Sequence, residues 1–202
     1  MFKKTWLAAA LVGFSSVSPV ILAQEAQPYI FASVGQSDAD LPKSDIDNYW
    51  GVAPGVATSS LDTKDTAWKI GAGLKLNQYF AFEAEYLDLG EAVYTATDGV
   101  DVARTTVATE GYGLNGVLTL PLDAFSLFAK LGYHRLETEG DFTFSGVDVQ
   151  STSDQEWIWS WGVGAGYNFT ESLAVVAEFE RYRDVADYYD LDLMSAGLRY
   201  SF

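Results

Sequence analysis

Ser195-Ala196-Gly197-Leu198-Arg199-Tyr200-Ser201-Phe202 ends the chain, and the reading of this stretch decides the fold. Side chains along a strand point alternately to its two faces. Met194, Ala196, Leu198, Tyr200 and Phe202 then share one face, and Ser195, Gly197, Arg199 and Ser201 the other. The first face is apolar and ends on two aromatics; the second is small or charged.

The same pattern recurs toward the amino end. Leu173, Val175, Ala177 and Phe179 alternate with Glu178 and Glu180, behind a turn at Thr170-Glu171-Ser172. Trp157, Trp159, Trp161, Val163, Ala165, Tyr167 and Phe169 alternate with Ile158, Ser160, Gly162, Gly164, Gly166 and Asn168. Phe125, Leu127, Ala129, Leu131 and Tyr133 alternate with Phe128, Lys130, Gly132 and His134, after a strand over residues 105–120 and a turn at Pro121-Leu122-Asp123. Phe80, Phe82, Ala84 and Tyr86 stand opposite Glu83 and Glu85, past a turn at Asn77-Gln78-Tyr79. Trp68, Ile70, Ala72, Leu74 and Leu76 share a face of the strand before it, and residues 29–35 form the first strand. Eight strands result, joined alternately by three very short turns and four longer acidic loops, over residues 36–65, 90–104, 137–154 and 183–190. Short turns at one end and long loops at the other predict an all-β, eight-stranded antiparallel up-and-down transmembrane β-barrel.

Composition agrees. The chain has 202 residues, enough for one closed sheet, with 15% aromatics and 18 glycines against 5 prolines. A net charge of -16 argues against nucleic acid as a partner, because phosphate binding needs clustered Lys and Arg. Without cysteine there is neither a disulfide framework nor a thiolate metal site. Beyond the amino-terminal segment no run of about 18 apolar residues offers a membrane helix. That segment reads as a secretory signal: Lys3 and Lys4, an apolar stretch from Trp6 to Phe14, then Pro19-Val20-Ile21-Leu22-Ala23 before a cut. Residues 1–23 are thus expected to be the signal peptide and residues 24–202 the barrel.

Alternation alone leaves the inward face open. A soluble, lipocalin-like barrel would turn its apolar set inward. Here the charged set otherwise holds Gly71, Gly73, Gly113, Gly132, Gly162, Gly164, Gly166, Gly197, Ser160 and Ser195. Such small residues fit the narrow bore of eight strands and would only weaken an outer surface. The apolar set carries Trp68, Tyr79, Phe80, Tyr133, Trp157, Tyr167, Phe169, Tyr200 and Phe202 near strand ends, where membrane girdles lie. The apolar face therefore points to lipid. The bore then holds Lys69, Lys75, Lys130 and Arg199 against Glu83, Glu85, Glu178 and Glu180, four charges of each sign. Unpaired buried charge is costly, so an ionic network is expected, with Lys75 near Glu83, Lys69 near Glu85, and a central plug of Lys69, Lys130, Glu85 and Glu178.

With Asp65–Gly73, Phe82–Gly90 and the terminal strand, the chain resembles the OmpA-like eight-stranded outer-membrane barrel family. The resemblance implies an outer-membrane structural or interaction protein of the porin family with a salt-bridged interior. It also implies outer-membrane lipid and lipopolysaccharide as surroundings, the barrel-assembly machinery as a partner of the last strand, and a monomer. Larger members add a peptidoglycan-binding domain; this sequence ends at Phe202, so wall anchoring is not carried over. Some small barrels are lipid A deacylases or acyltransferases, but the one histidine, His134, lacks a serine two residues on, where Leu136 stands. His134 is expected near the outer rim, and no enzyme, cofactor or metal site is expected. The aspartates of residues 36–65 and 183–192 lack the spacing of a calcium loop. The alternatives are a small porin of weak conductance, and a surface adhesin using its acidic loops and aromatics such as Tyr49, Trp50, Tyr94, Phe142, Phe144, Tyr188 and Tyr189.

Gly197, Tyr200 and Phe202 carry the pattern expected to direct assembly. Deleting Phe202, or replacing it with Asp, should lower the heat-modifiable, membrane-inserted fraction. Unchanged insertion of both variants would refute this reading of the terminal strand.

Overall fold

The computed structural model describes residues 26–49, 51–52, 57–186 and 188–202. The expected signal segment and Trp50 lie outside these. The strands are β1 (Gln27–Ala39), β2 (Thr58–Asp62), β3 (Lys64–Lys75), β4 (Phe80–Thr97), β5 (Val102–Leu122), β6 (Phe125–Phe144), β7 (Val147–Asn168), β8 (Leu173–Val185) and β9 (Tyr189–Ser201). A short helix, α1 (Lys43–Tyr49), lies between β1 and β2. All pairings are antiparallel, in the order β2-β4-β3-β1-β9-β8-β7-β6-β5, and β4 also pairs with β5. That last pairing closes the ring. Both β2 and β3 run along β4, so they are two segments of one broken strand, and nine segments make an eight-stranded barrel. First and last strands meet at the seam from Tyr29↔Ser201 to Ala39↔Leu191.

The lipid-facing assignment holds along every strand of the ring. Ala72, Leu114, Ala165 and Ala177 are exposed, while Asn115 and Glu178 are buried and Gly73 and Gly164 half-buried. Glycines of the bore sit where a large side chain crosses from the next strand. A Cβ on Gly73 would strike the ring of Tyr29, and one on Gly113 the ring of His134.

Three of the four expected loops are instead strand. The segments expected as loops at residues 90–104, 137–154 and 183–190 continue the hairpins past the membrane: the first two turn only at residues 98–101 and 145–146, and in the third β8 runs to Val185 and β9 starts at Tyr189. The acidic residues there lie on strand faces in water, and Val and Thr between them keep the strand pattern. Ser145 and Gly146, with φ of 48° and 81°, make the two-residue turn that suits strand twist. At the other tip, the carboxylate of Asp98 accepts from the amides of Val100 (2.9 Å) and Asp101 (2.8 Å). In the first expected loop, β1 runs on to Ala39 and the helix α1 follows. The helix is tied down by Asp47, which accepts from Lys43 (2.8 Å) and from the Tyr94 hydroxyl (2.6 Å). These bonds, Lys43's first, hold the Asp47 carboxyl down at about 2, and burial pushes the Tyr94 hydroxyl up to about 12.

Along the outer half of the strands the polarity of the two faces inverts. On β9 the outward set runs Tyr200, Leu198, Ala196, Met194 and then Asp192 and Asp190; the inward set runs Arg199, Gly197, Ser195 and then Leu193 and Leu191. On β4, Tyr86 gives way to Asp88 outside, while Glu85 gives way to Leu87 and Leu89 inside. Leu87, Leu89, Leu136, Ile158, Tyr182, Val185, Leu191 and Leu193 thereby form a buried apolar layer in the extracellular end of the tube. Outside, the same level carries a collar of polar bonds: Trp68 Nε1 to Asp88 (3.2 Å), Tyr86 hydroxyl to Glu110 (2.7 Å), and Arg181 to Asp192 by two 2.6 Å bonds. The β4 strand bulges here, between Asp88 and Glu91, through Gly90 at φ 75°.

Leu114→Arg, at an outward position between the girdles, should destabilise the barrel by roughly 2–4 kcal/mol. Urea unfolding in lipid vesicles reads this, and the same substitution at the collar residue Glu110 should cost far less.

Candidate functional site

The bore is the site that the chain builds from its small-and-charged face. Its centre is a string of charges alternating in sign. The Nη2 of Arg199 on β9 lies 2.9 Å from Oε1 of Glu83 on β4, and the hydroxyl of Tyr29 donates to the same oxygen at 2.7 Å. Oε2 of Glu83 lies 2.7 Å from Nζ of Lys130 on β6. Lys130 is also 2.7 Å from Oε2 of Glu178 on β8, whose Oε1 lies 2.8 Å from Nζ of Lys69 on β3. Lys69 ends the string on Glu180. Residues from five strands therefore meet across the lumen, and all but Arg199 are almost wholly buried. The rings of Phe31 and Phe128 flank Lys130 at 5.4 and 5.6 Å from their centroids. Dry walls and aromatic faces keep the ammonium from water and make its carboxylate partners indispensable.

Two of the expected neighbours are not neighbours. Lys75 faces Ala81 across its hairpin, not Glu83, and its Nζ donates to Ser201 Oγ at 3.0 Å. Tyr29, crossing over Gly73 from β1, claims the Glu83 oxygen on that side. Lys69 reaches across the bore to β8 and makes no ion pair with Glu85. Glu85 leaves the expected plug for a separate group: its Oε1 is 3.0 Å from His134 Nε2, and His134 Nδ1 is 3.2 Å from Ser160 Oγ. His134 is thus in the bore, fully buried and edge-on to Tyr182, and not at the rim. Its place was legible, because it continues the inward series Phe128, Lys130 and Gly132.

A serine, a histidine and a carboxylate are in contact here, deep in the bore. A nucleophile needs an approach path. Ser160 is only 2% exposed and sits where a Cβ on Gly132 would collide with it. Among the described residues no group of His, Cys, Asp and Glu is arranged to hold a metal. Two of the aromatics expected at the surface are interior as well: Tyr94 packs with Ala96 and Ala103 near α1, and Tyr189 lies in the apolar layer. Gly197, Tyr200 and Phe202 lie along the closing strand, with both aromatics exposed to the lipid side.

A family model for the outer membrane protein beta-barrel domain matches residues 7–202. The chain belongs to that family. It is accordingly an outer-membrane barrel of a bacterium, crossing by strands. Among solved structures, Ail, the attachment invasion locus protein of Yersinia pestis, shares the fold at TM-score 0.56 and 15% identity, over 89% of this chain and 100% of that one. Neisserial surface protein A is similar at TM-score 0.50 and 14% identity, over 87% and 97%. The N-terminal β-barrel domain of Pseudomonas aeruginosa OprF is similar at TM-score 0.50 and 10% identity, over 89% and 100%. No curated protein sequence matches the chain.

Lys130→Ala leaves Glu83 and Glu178 without their shared cation and should cost about 3–5 kcal/mol. Lys130→Ala combined with Glu178→Ala should cost clearly less than the sum of the single changes. Unfolding in urea measures the cycle; strict additivity would show the contact to be energetically idle.

Proposed function

We propose that the protein is a non-enzymatic outer-membrane barrel of structural and interaction type, whose bore stays shut and whose extended strands hold an acidic rim at the cell surface. The carrying observation is the stacking of two different seals. The charge string from Arg199 to Glu180 fills the membrane-level bore, and the apolar layer around Leu87, Leu136 and Leu193 fills the tube above it. Opening the first would strand charges; opening the second would wet leucines. Eight strands leave little room to do either. On this reading the partners are outer-membrane lipid and lipopolysaccharide around the wall, and the assembly machinery at β9. The barrel works as a monomer on this reading, since the β1–β9 seam and the β4–β5 pairing close the sheet on itself.

The adhesin reading stays beside it for one reason. The strands run well beyond the polarity inversion, and α1 is bonded to them through Asp47 and Tyr94. A fixed rim of this kind can present a surface. One of the solved Ail structures is a complex with the heparin analogue sucrose octasulfate. The acidic balance here opposes a polysulfate, so a basic or neutral partner fits the rim better. The weak-porin reading finds no support in the double seal.

Planar-bilayer recording tests the proposal. The refolded mature chain should be silent, and Lys130→Ala alone should stay nearly so, because the apolar layer remains. Steady conductance from the unaltered protein would favour the porin.

A further inference from the structure

The closed bore is not filled to both ends. At the short-turn, periplasmic mouth it widens into a cavity of about 870 Å³. Lys75, Arg199 and Ser201 line this cavity, together with Tyr29, Asn168 and Thr119. Its volume falls within the range of small-molecule sites.

Its charge is unbalanced. Lys75 Nζ has one hydrogen bond, to the Ser201 hydroxyl, and among the described residues no carboxylate lies within ion-pair distance of it. Arg199 gives one terminal nitrogen to Glu83, and among the described residues no second carboxylate lies within ion-pair distance of it. Glu83 cannot neutralise both, because Tyr29, Arg199 and Lys130 already occupy its two oxygens. Both cations lie against one ring: Lys75 Nζ is 5.6 Å and Arg199 Cζ 4.8 Å from the centroid of Tyr29. They are therefore no more than about 10 Å apart, with spare donors, and both line the cavity. Asp123 and Glu171 also line the cavity, but both are exposed and screened by solvent. The acidic rim stands at the other end of the barrel, several Debye lengths away.

We infer that this periplasmic vestibule is a binding site for a small anion, with a phosphate or carboxylate head held between Lys75 and Arg199 and any organic body in the remaining cavity. Arg199 offers a flat fork and Lys75 a point charge, the pairing that holds a tetrahedral or planar oxyanion. Ser201 Oγ, now accepting from Lys75, keeps its own proton to donate. The site sits below both seals, so occupancy needs no opening of the bore.

The test uses the refolded mature chain in a maltoside detergent, which brings no phosphate headgroup of its own. Amide shifts are followed by NMR during titration with inorganic phosphate, with acetate, and with chloride at matched ionic strength. Saturable shifts at Lys75, Arg199 and Ser201 are expected with phosphate. Saturation by acetate as well would extend the site to carboxylates, whereas a phosphate-only response would restrict it to phosphate heads. Lys75→Gln should weaken the response at least about tenfold, the loss of one charge-assisted contact, while Lys75→Arg should keep it. Unchanged spectra around Leu114 show that each variant is folded. Shifts that grow linearly and equally with chloride, or that persist in Lys75→Gln, would overturn the site.

Discussion

In hydrocarbon no backbone amide can turn to water for a partner, and the rest of this structure depends on that constraint. It requires the sheet to close on itself, which the β1–β9 seam and the β4–β5 pairing accomplish. Closure with eight strands fixes a bore too narrow for large residues to face one another. Several wide side chains therefore lie over a glycine of the next strand, Tyr29 over Gly73 and His134 over Gly113. The glycines that look like weak points in the strands are the space in which the interior is packed.

The interior then divides into levels with different chemistry. Polar bonds fill the membrane level, where an ion pair with missing partners would cost far more than a missing methyl group. Apolar burial fills the level above, where the outer wall meets water and the tube is an ordinary soluble β-structure with a leucine core. The mouth below is left open, with its cations facing it. The two upper levels depend on different conditions: the charge string weakens if a partner is lost, while the leucine layer answers to volume and hydration.

The fold was legible because one face of every strand is apolar and the other small or charged, from Trp68 through Phe202. The lumen charges were legible as a set for the same reason. Their pairing was not, since it depends on side chains crossing the bore: Lys69 passes its hairpin neighbour to reach β8, and Tyr29 displaces Lys75 from Glu83. The strand extensions are harder to see, because clustered acidic residues suggest loop, although the inversion is written in the sequence. On β9 Asp190 and Asp192 keep the alternation of Met194 and Ala196 with the opposite polarity. Helix α1 is seven residues long with only Ile46 and Tyr49 as apolar positions, too short a stripe to announce it.

The inversion of polarity gives the barrel a waterline. On the extracellular side, Asp88, Glu110, Arg181 and Asp192 mark it within two residues of the last apolar position, so sinking by one strand repeat would draw several charges into oil. The periplasmic side has no such mark: Phe80, Leu120, Leu122, Phe125, Phe169 and Phe202 carry the apolar wall down to the turns. The molecule therefore floats from its upper edge, and differences in bilayer thickness are taken up below, where wetting part of an apolar ring costs less than drawing a charge into oil.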